Sequence, residues 1–241
     1  MADKDDSERG ERGERGKEAR IVEARMKLRG RFLARMQETP SMADARPMGE
    51  GPPNRHGMPR LPPGQTETTA WPVLDLGIKP EVALGKWRLV VDGACAAPLC
   101  LGWDDLMALP QVDDVSDFHC VTTWSKFDVP WRGVRLAEVI EAAQPHDDAS
   151  FLLCHAYDGY TVNLPMEEAL KPDVLLAHTA YGKPLELDHG GPLRVITPQL
   201  YAWKGAKWVA RIELMNHDVL GYWERRGYSN TGHPWREDRY S

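Results

Sequence analysis

Asp117-Phe118-His119-Cys120-Val121-Thr122-Thr123-Trp124-Ser125, running on to Pro130-Trp131-Arg132-Gly133, is the stretch around which the chain is organised. Free cysteine is among the most often buried residue types and commonly acts as a small hydrophobe. Cys120 alone therefore does not separate a core position from a reactive one. Its neighbours do more. The hydroxyls of Thr122, Thr123 and Ser125 and the indole N–H groups of Trp124 and Trp131 bring more hydrogen-bonding capacity than an apolar core tolerates unpaired. A polar group beside Cys120 is expected.

A chain of 241 residues with 42% apolar side chains can bury a sizeable core in one large domain or two small ones. The net charge of −6 favours solubility and does not point to nucleic acid. The four cysteines, Cys95, Cys100, Cys120 and Cys154, form no C-x-x-C pair, which removes zinc-ribbon and thioredoxin motifs. Cys95 and Cys100 are near enough in sequence to bridge, but a reducing compartment is the simpler reading. Residues 1–30 hold no apolar signal core and no run approaches the ~18 apolar residues of a membrane span, so a cytoplasmic location is expected.

Glu-Arg-Gly occurs three times in residues 8–16, and residues 1–17 are expected to be disordered. Residues 18–37 form a basic amphipathic helix, with Ile21, Val22, Leu28, Phe32, Leu33 and Met36 near one stripe. Packing on its own domain is preferred over docking to an acidic partner or a membrane surface. Residues 38–64 read as a Pro/Gly-rich connection without regular elements. From residue 65 to 241, short strands and short helices interleave without a βαβ rhythm, which predicts an α+β domain of mixed sheets. Gly133 to Ala143 is expected to be helical. No Gly-x-Gly-x-x-Gly or Walker sequence supports a nucleotide fold.

Three blocks in order, Asp117 to Ser125, His189-Gly190-Gly191-Pro192-Leu193-Arg194 and Leu200-Tyr201-Ala202-Trp203-Lys204-Gly205-Ala206-Lys207-Trp208, carry a resemblance. The chain from Arg60-Leu61-Pro62-Pro63-Gly64-Gln65 onward resembles the sulfite-oxidase superfamily of molybdopterin enzymes. Its nearer likeness is to the small bacterial branch that includes the catalytic subunit of the periplasmic methionine sulfoxide reductase. The resemblance implies a molybdenum–molybdopterin (Mo-MPT) cofactor, with Cys120 as the protein ligand to molybdenum and the catalytic residue. A soft thiolate suits that role.

The same resemblance places His119, Thr122, His189, Arg194, Trp203 and Lys204 with Cys120 in the pterin site. Arg194 offers a planar fork and Lys204 a point charge for phosphate. His189 departs from the reductase pattern, which has an amide there. His119 adjoins Cys120, and adjacent strand residues face opposite ways, so it should not ligate the same metal; a satisfied core histidine is an equal reading. His155 and His178 read as structural. Cys120 is followed by Val-Thr-Thr-Trp-Ser rather than a basic cluster. Two-electron oxygen-atom transfer on an S- or N-oxide is therefore preferred over a sulfur oxyanion. Electrons would pass to or from an external carrier. The rival is a non-catalytic molybdopterin-binding or partner-binding module.

Overall fold

The computed structural model describes residues 3–37 and 48–241, with side chains from residues 13–34 and 48–241. Helix α1 (Asp3–Gln37) comes first, then strands β1 (Glu50–Pro53), β2 (Pro59–Leu61) and β3 (Thr66–Glu67). Next are β4 (Leu89–Gly93), β5 (Leu99–Leu101), α2 (Trp103–Ala108), β6 (Gln111–Cys120), β7 (Trp124–Arg135) and α3 (Leu136–Ala142). The last third holds β8 (Phe151–Ala156), β9 (Thr161–Pro165), α4 (Met166–Ala169), β10 (Leu175–Ala180), β11 (Lys183–Pro184), β12 (Arg194–Ile196) and β13 (Val209–Met215).

Two larger sheets carry the domain, as the interleaved pattern predicts. One runs β5-β4-β13-β8-β9, parallel only between β4 and β13. The other centres on β7, which pairs antiparallel with β6 and β10 and parallel with β3, while β11 and β12 pair with β10. The apolar run of β8 lies inside the main core with Ile140 of α3 and Ile212 of β13, all in one buried cluster. Trp131, Leu175, Ala177 and Ile196 form a second, smaller cluster on the β7 sheet.

Three sequence expectations change. The helix predicted from Gly133 begins only at Leu136, because β7 continues through Arg135. A methyl group at Gly133 would lie 2.1 Å from the Leu176 carbonyl oxygen, so close pairing with β10 takes this glycine into the sheet. The connection at 38–64 contains the antiparallel ribbon β1–β2; its residues 38–47 lie outside the described residues. Finally, α1 runs through the Glu-Arg-Gly repeat that was expected to be disordered. Glutamate and arginine are good helix formers and offset the ~1 kcal/mol that each interior glycine costs.

Helix α1 packs on its own domain. Val22 and Met26 contact the main core, and Ile21 lies against Gly77. Glu18 accepts a hydrogen bond from the Tyr222 hydroxyl. Arg29 donates to the carbonyls of Gly227 (3.1 Å) and Ser241 (2.9 Å), and Phe32 meets Tyr240 edge to face.

Candidate active site

Cys120 ends β6, where the chain turns back through Val121-Thr122-Thr123 into β7. Thr123 closes the turn with φ 77° and donates its N–H to the Cys120 carbonyl at 3.1 Å. A β-branched residue in this left-handed region stores of order 1–3 kcal/mol, which the surroundings must hold. They do so on several sides. Gln65 Nε2 donates to the Cys120 carbonyl (3.1 Å), Arg239 Nη1 to the Val121 carbonyl (2.7 Å), and Thr66 N–H to the Thr123 carbonyl (2.9 Å). Cys120 is 5% exposed, and its Sγ lies 3.1 Å from Thr122 Oγ1. Burial pushes its pKa up, against the Thr122 hydrogen bonds.

Cys120 opens onto a cavity of about 830 Å³, mouth included, whose aromatic walls include Trp71, Trp203 and Trp208. Arg194, His189, Lys207, Asp75, Asp158 and Arg25 supply its polar lining. Arg194 is 3% exposed and donates from Nη1 to the His189 carbonyl at 2.9 Å, while Nε has no partner among the described residues. Its guanidinium lies 5.1 Å from the Phe118 ring centre. Burial pulls its pKa down to about 10, opposed by the nearby Cys120. A buried cation without a carboxylate is costly by several kcal/mol.

His189 stacks on Trp71 with ring centres 3.7 Å apart, and burial lowers its pKa. Lys207 donates to the Asp188 carbonyl at 2.7 Å, and burial and then Arg194 lower its pKa to about 8. Asp158 accepts from Tyr160 N–H at 3.0 Å, and burial raises its pKa to about 6.

The predicted set is only partly gathered. Cys120, His189, Arg194 and Trp203 line the cavity, and Thr122 touches the Cys120 sulfur. His119 is 1% exposed, faces away as the strand period requires, and pairs through Nδ1 with Ser125 Oγ at 2.8 Å. Burial holds its pKa near 4, so it is the satisfied core histidine.

Lys204 requires a correction. Its side chain is fully buried and Nζ donates to Glu224 Oε1 (2.8 Å), Asn163 Oδ1 (3.0 Å) and the Asn163 carbonyl (3.1 Å). The short 3₁₀ turn Ala202–Lys204 sends Trp203 to the cavity and Lys204 into the core. Lys207 supplies the cavity's lysine instead. Sequence reasoning also passed over Gln65, Asp158, Trp71, Arg25 and Arg239. Gln65 and Lys207 lay within the quoted blocks, but residue type alone could not tell which of the block's two lysines faces the cavity.

The donor set suits an anionic, planar group carrying its own metal ligands. Among the described residues no three His, Cys, Asp or Glu side chains are arranged to hold a metal. A metal at Cys120 would take its other ligands from a non-protein group. Arg194 and Lys207 offer charge for a phosphate, and the indoles offer faces for a ring system.

Residues 76–223 match the family model described as oxidoreductase molybdopterin binding domain. The chain is 40% identical over 183 residues to the uncharacterized oxidoreductase YuiH of Bacillus subtilis, covering 76% of this chain and 92% of that protein. It is 31% identical over 164 residues to the protein-methionine-sulfoxide reductase catalytic subunit MsrP of Campylobacter jejuni. That match covers 61% of this chain and 55% of the reductase, so the chain spans about half of that relative. Among solved structures it is similar to the sulfane dehydrogenase SoxCD from Paracoccus pantotrophus, with TM-score 0.55 and 21% identity over 62% of this chain and 42% of that one. At that identity the likeness speaks to fold alone.

Proposed function

The chain belongs to the oxidoreductase molybdopterin binding domain family and is a molybdenum-dependent oxidoreductase; from this premise we propose that it catalyses two-electron oxygen-atom transfer with Cys120 as the protein ligand to molybdenum. The preferred direction is reduction of an S- or N-oxide, with oxidation of a sulfur oxyanion as the alternative. The observation that carries the reading is the buried Arg194, which has no carboxylate partner among the described residues and shares one aromatic-walled cavity with Cys120. The relationship to a protein-methionine-sulfoxide reductase favours the reductive direction.

Molybdopterin, when bound, supplies the two-electron redox chemistry. The protein's part is orientation, charge and protons. Trp71, Trp203 and Trp208 offer ring faces to a planar cofactor, and Arg194, Lys207 and His189 would meet its phosphate. Thr122 Oγ1 holds the Cys120 sulfur in place. Reducing an S-oxide takes up two electrons and two protons and releases the sulfide and water. Asp158, with its carboxyl held near pKa 6 on the cavity wall, can deliver a proton at Oδ2 near neutral pH. The electrons come from an external donor. We place the protein in a reducing compartment, the cytoplasm, where its four cysteines stay unpaired as found.

Protein from molybdopterin-producing cells should carry stoichiometric molybdenum and release a fluorescent pterin on denaturation. Reduced viologen should drive S- or N-oxide reduction faster than ferricyanide drives sulfite oxidation. Absence of metal and pterin from cofactor-replete cells would overturn the ligand assignment, and efficient low-KM sulfite turnover would reverse the direction.

A further inference from the structure

Helix α1 lies outside residues 76–223, which match the family, yet it completes the wall of the cavity. Glu18, Val22, Arg25, Arg29 and Phe32 follow the three-and-four spacing that puts residues on one helical face. Four of these five dock the helix: Glu18 on Tyr222, Val22 on the core, Arg29 on two carbonyls and Phe32 on Tyr240. Arg25 stands in the middle of that stripe and lines the cavity with Cys120. Its position is thus fixed by anchors on both sides.

What Arg25 does not do is equally informative. Among the described residues it forms no hydrogen bond and no ion pair. Its charge is felt instead at Cys120, Tyr228 and Tyr240. Two other basic residues of α1 are held by partners: Lys27 pairs with Glu23 at 2.7 Å, and Arg29 is fastened to backbone. An unpaired guanidinium held over a partly desolvated cavity is a ready fork for an oxyanion. The segment after Cys120, Val-Thr-Thr-Trp-Ser, has no such cation of its own.

We propose that Arg25 is an anion-binding residue of this cavity, presented by docked α1 to a tetrahedral oxyanion, either the cofactor's phosphate or a small oxyanion substrate. The inference rests on reading the cavity as the molybdopterin site.

The test compares wild type, Arg25→Lys, Arg25→Gln and Arg25→Glu with Arg31→Gln, an exposed position on the same helix. Two quantities are read: pterin and molybdenum per chain, and sulfate affinity followed by the fluorescence of the cavity tryptophans. Arg25→Gln should weaken sulfate binding by about 10-fold or more, the scale of a lost charge-assisted hydrogen bond, or should lower cofactor content. Loss of cofactor alone assigns the residue to the phosphate; loss of sulfate affinity alone assigns it to a substrate anion. Arg25→Lys should recover part of the effect, Arg25→Glu should exceed Arg25→Gln, and Arg31→Gln should behave as wild type.

The proposal is overturned if Arg25→Gln keeps wild-type cofactor content and sulfate affinity, or if Gln and Glu act alike, which is a packing effect. If Arg25→Gln does not fold, Arg25→Met, which keeps an apolar stem, takes its place. A wild-type protein without pterin would sink the proposed function, and sulfate titration of that same protein would still read Arg25 separately.

Discussion

Lys204 and Lys207 belong to one sequence block and end in opposite environments. Lys204 lies behind Trp203 with no exposure, and Glu224 and Asn163 satisfy its ammonium completely. Lys207 lies in front, on the cavity wall, and among the described residues it has a backbone carbonyl and a distant Asp75 carboxylate at 3.9 Å. Burial pulls both pKa values down, but Glu224 works against this at Lys204, whereas Arg194 adds to it at Lys207. The paired cation fastens the fold; the underpaired ones, Lys207 and Arg194, leave room for an external anion. The same division separates Cys154, sealed in the core, from Cys120, at the cavity.

The sharpest way to break this comparison is to exchange each thiol for a hydroxyl. Cys120→Ser should leave the melting temperature nearly unchanged and reduce oxygen-atom transfer by orders of magnitude, with loss of thiolate charge-transfer absorption. Cys154→Ser should do the reverse, costing about 1–3 kcal/mol for a poorly partnered buried hydroxyl while the folded fraction keeps its chemistry. Near-normal turnover and spectrum in Cys120→Ser would end the ligand assignment.

Lys204→Met comes next in size. It strands Glu224 in the core, and breaking one side of a buried pair costs about 3–5 kcal/mol by urea denaturation. Removing both partners, as Lys204→Met with Glu224→Leu, should restore much of that stability. Lys207→Met should leave stability unchanged or raised and lower cofactor retention. If the two lysines respond alike, the division between front and back is wrong.

A smaller effect tests Asp158. Its carboxyl is raised to about 6, so the protonated donor is lost above that pH. S-oxide reduction should fall by up to about tenfold per pH unit on the alkaline side. Asp158→Asn should be slower and should lose that limb; an unchanged profile would remove Asp158 from the mechanism.

The smallest effect is a stability slope. Lys207 has its folded pKa depressed to about 8, from an ordinary value near 10.5. Between these values the unfolded chain binds more protons at this site, so its contribution makes cofactor-free protein more stable as pH rises from 8 to 10.5. A phosphate bound at Lys207 would favour the charged form and flatten or reverse that slope. Comparing the slope with that of Lys207→Met, with and without cofactor, isolates the residue. Identical slopes in loaded and cofactor-free protein would place the phosphate elsewhere.

Much of this molecule was written locally. The apolar run Phe151 to Ala156 forms β8 and Asp105 caps a helix that stops before Pro110, both by local pattern alone. The exchange of faces between His119 and Cys120 followed from strand period alone. What failed was local reading where a distant partner decided the outcome. Gly133 joined β7 because the Leu176 carbonyl lies too near for any side chain. The helix read from residue 18 in fact starts at Asp3 and runs through the glycines of the repeat, and its apolar stripe held Val22 and Phe32 of the docking face but neither Arg29 nor the destination of Arg25.

The sequence by itself determined the family, the α+β class and the cysteine at the centre, since these rest on periodicity and on contiguous motifs. Only the tertiary structure decided which charges serve the cavity. A side chain's role depends on the carboxylates and carbonyls within about 3 Å of it, and here those come from far along the chain. Glu224 claims Lys204, Gln65 and Arg239 hold the Cys120 turn, and among the described residues no carboxylate meets Arg194. Pairing in a low-dielectric interior is set by those long-range neighbours, and no local pattern of residues encodes it.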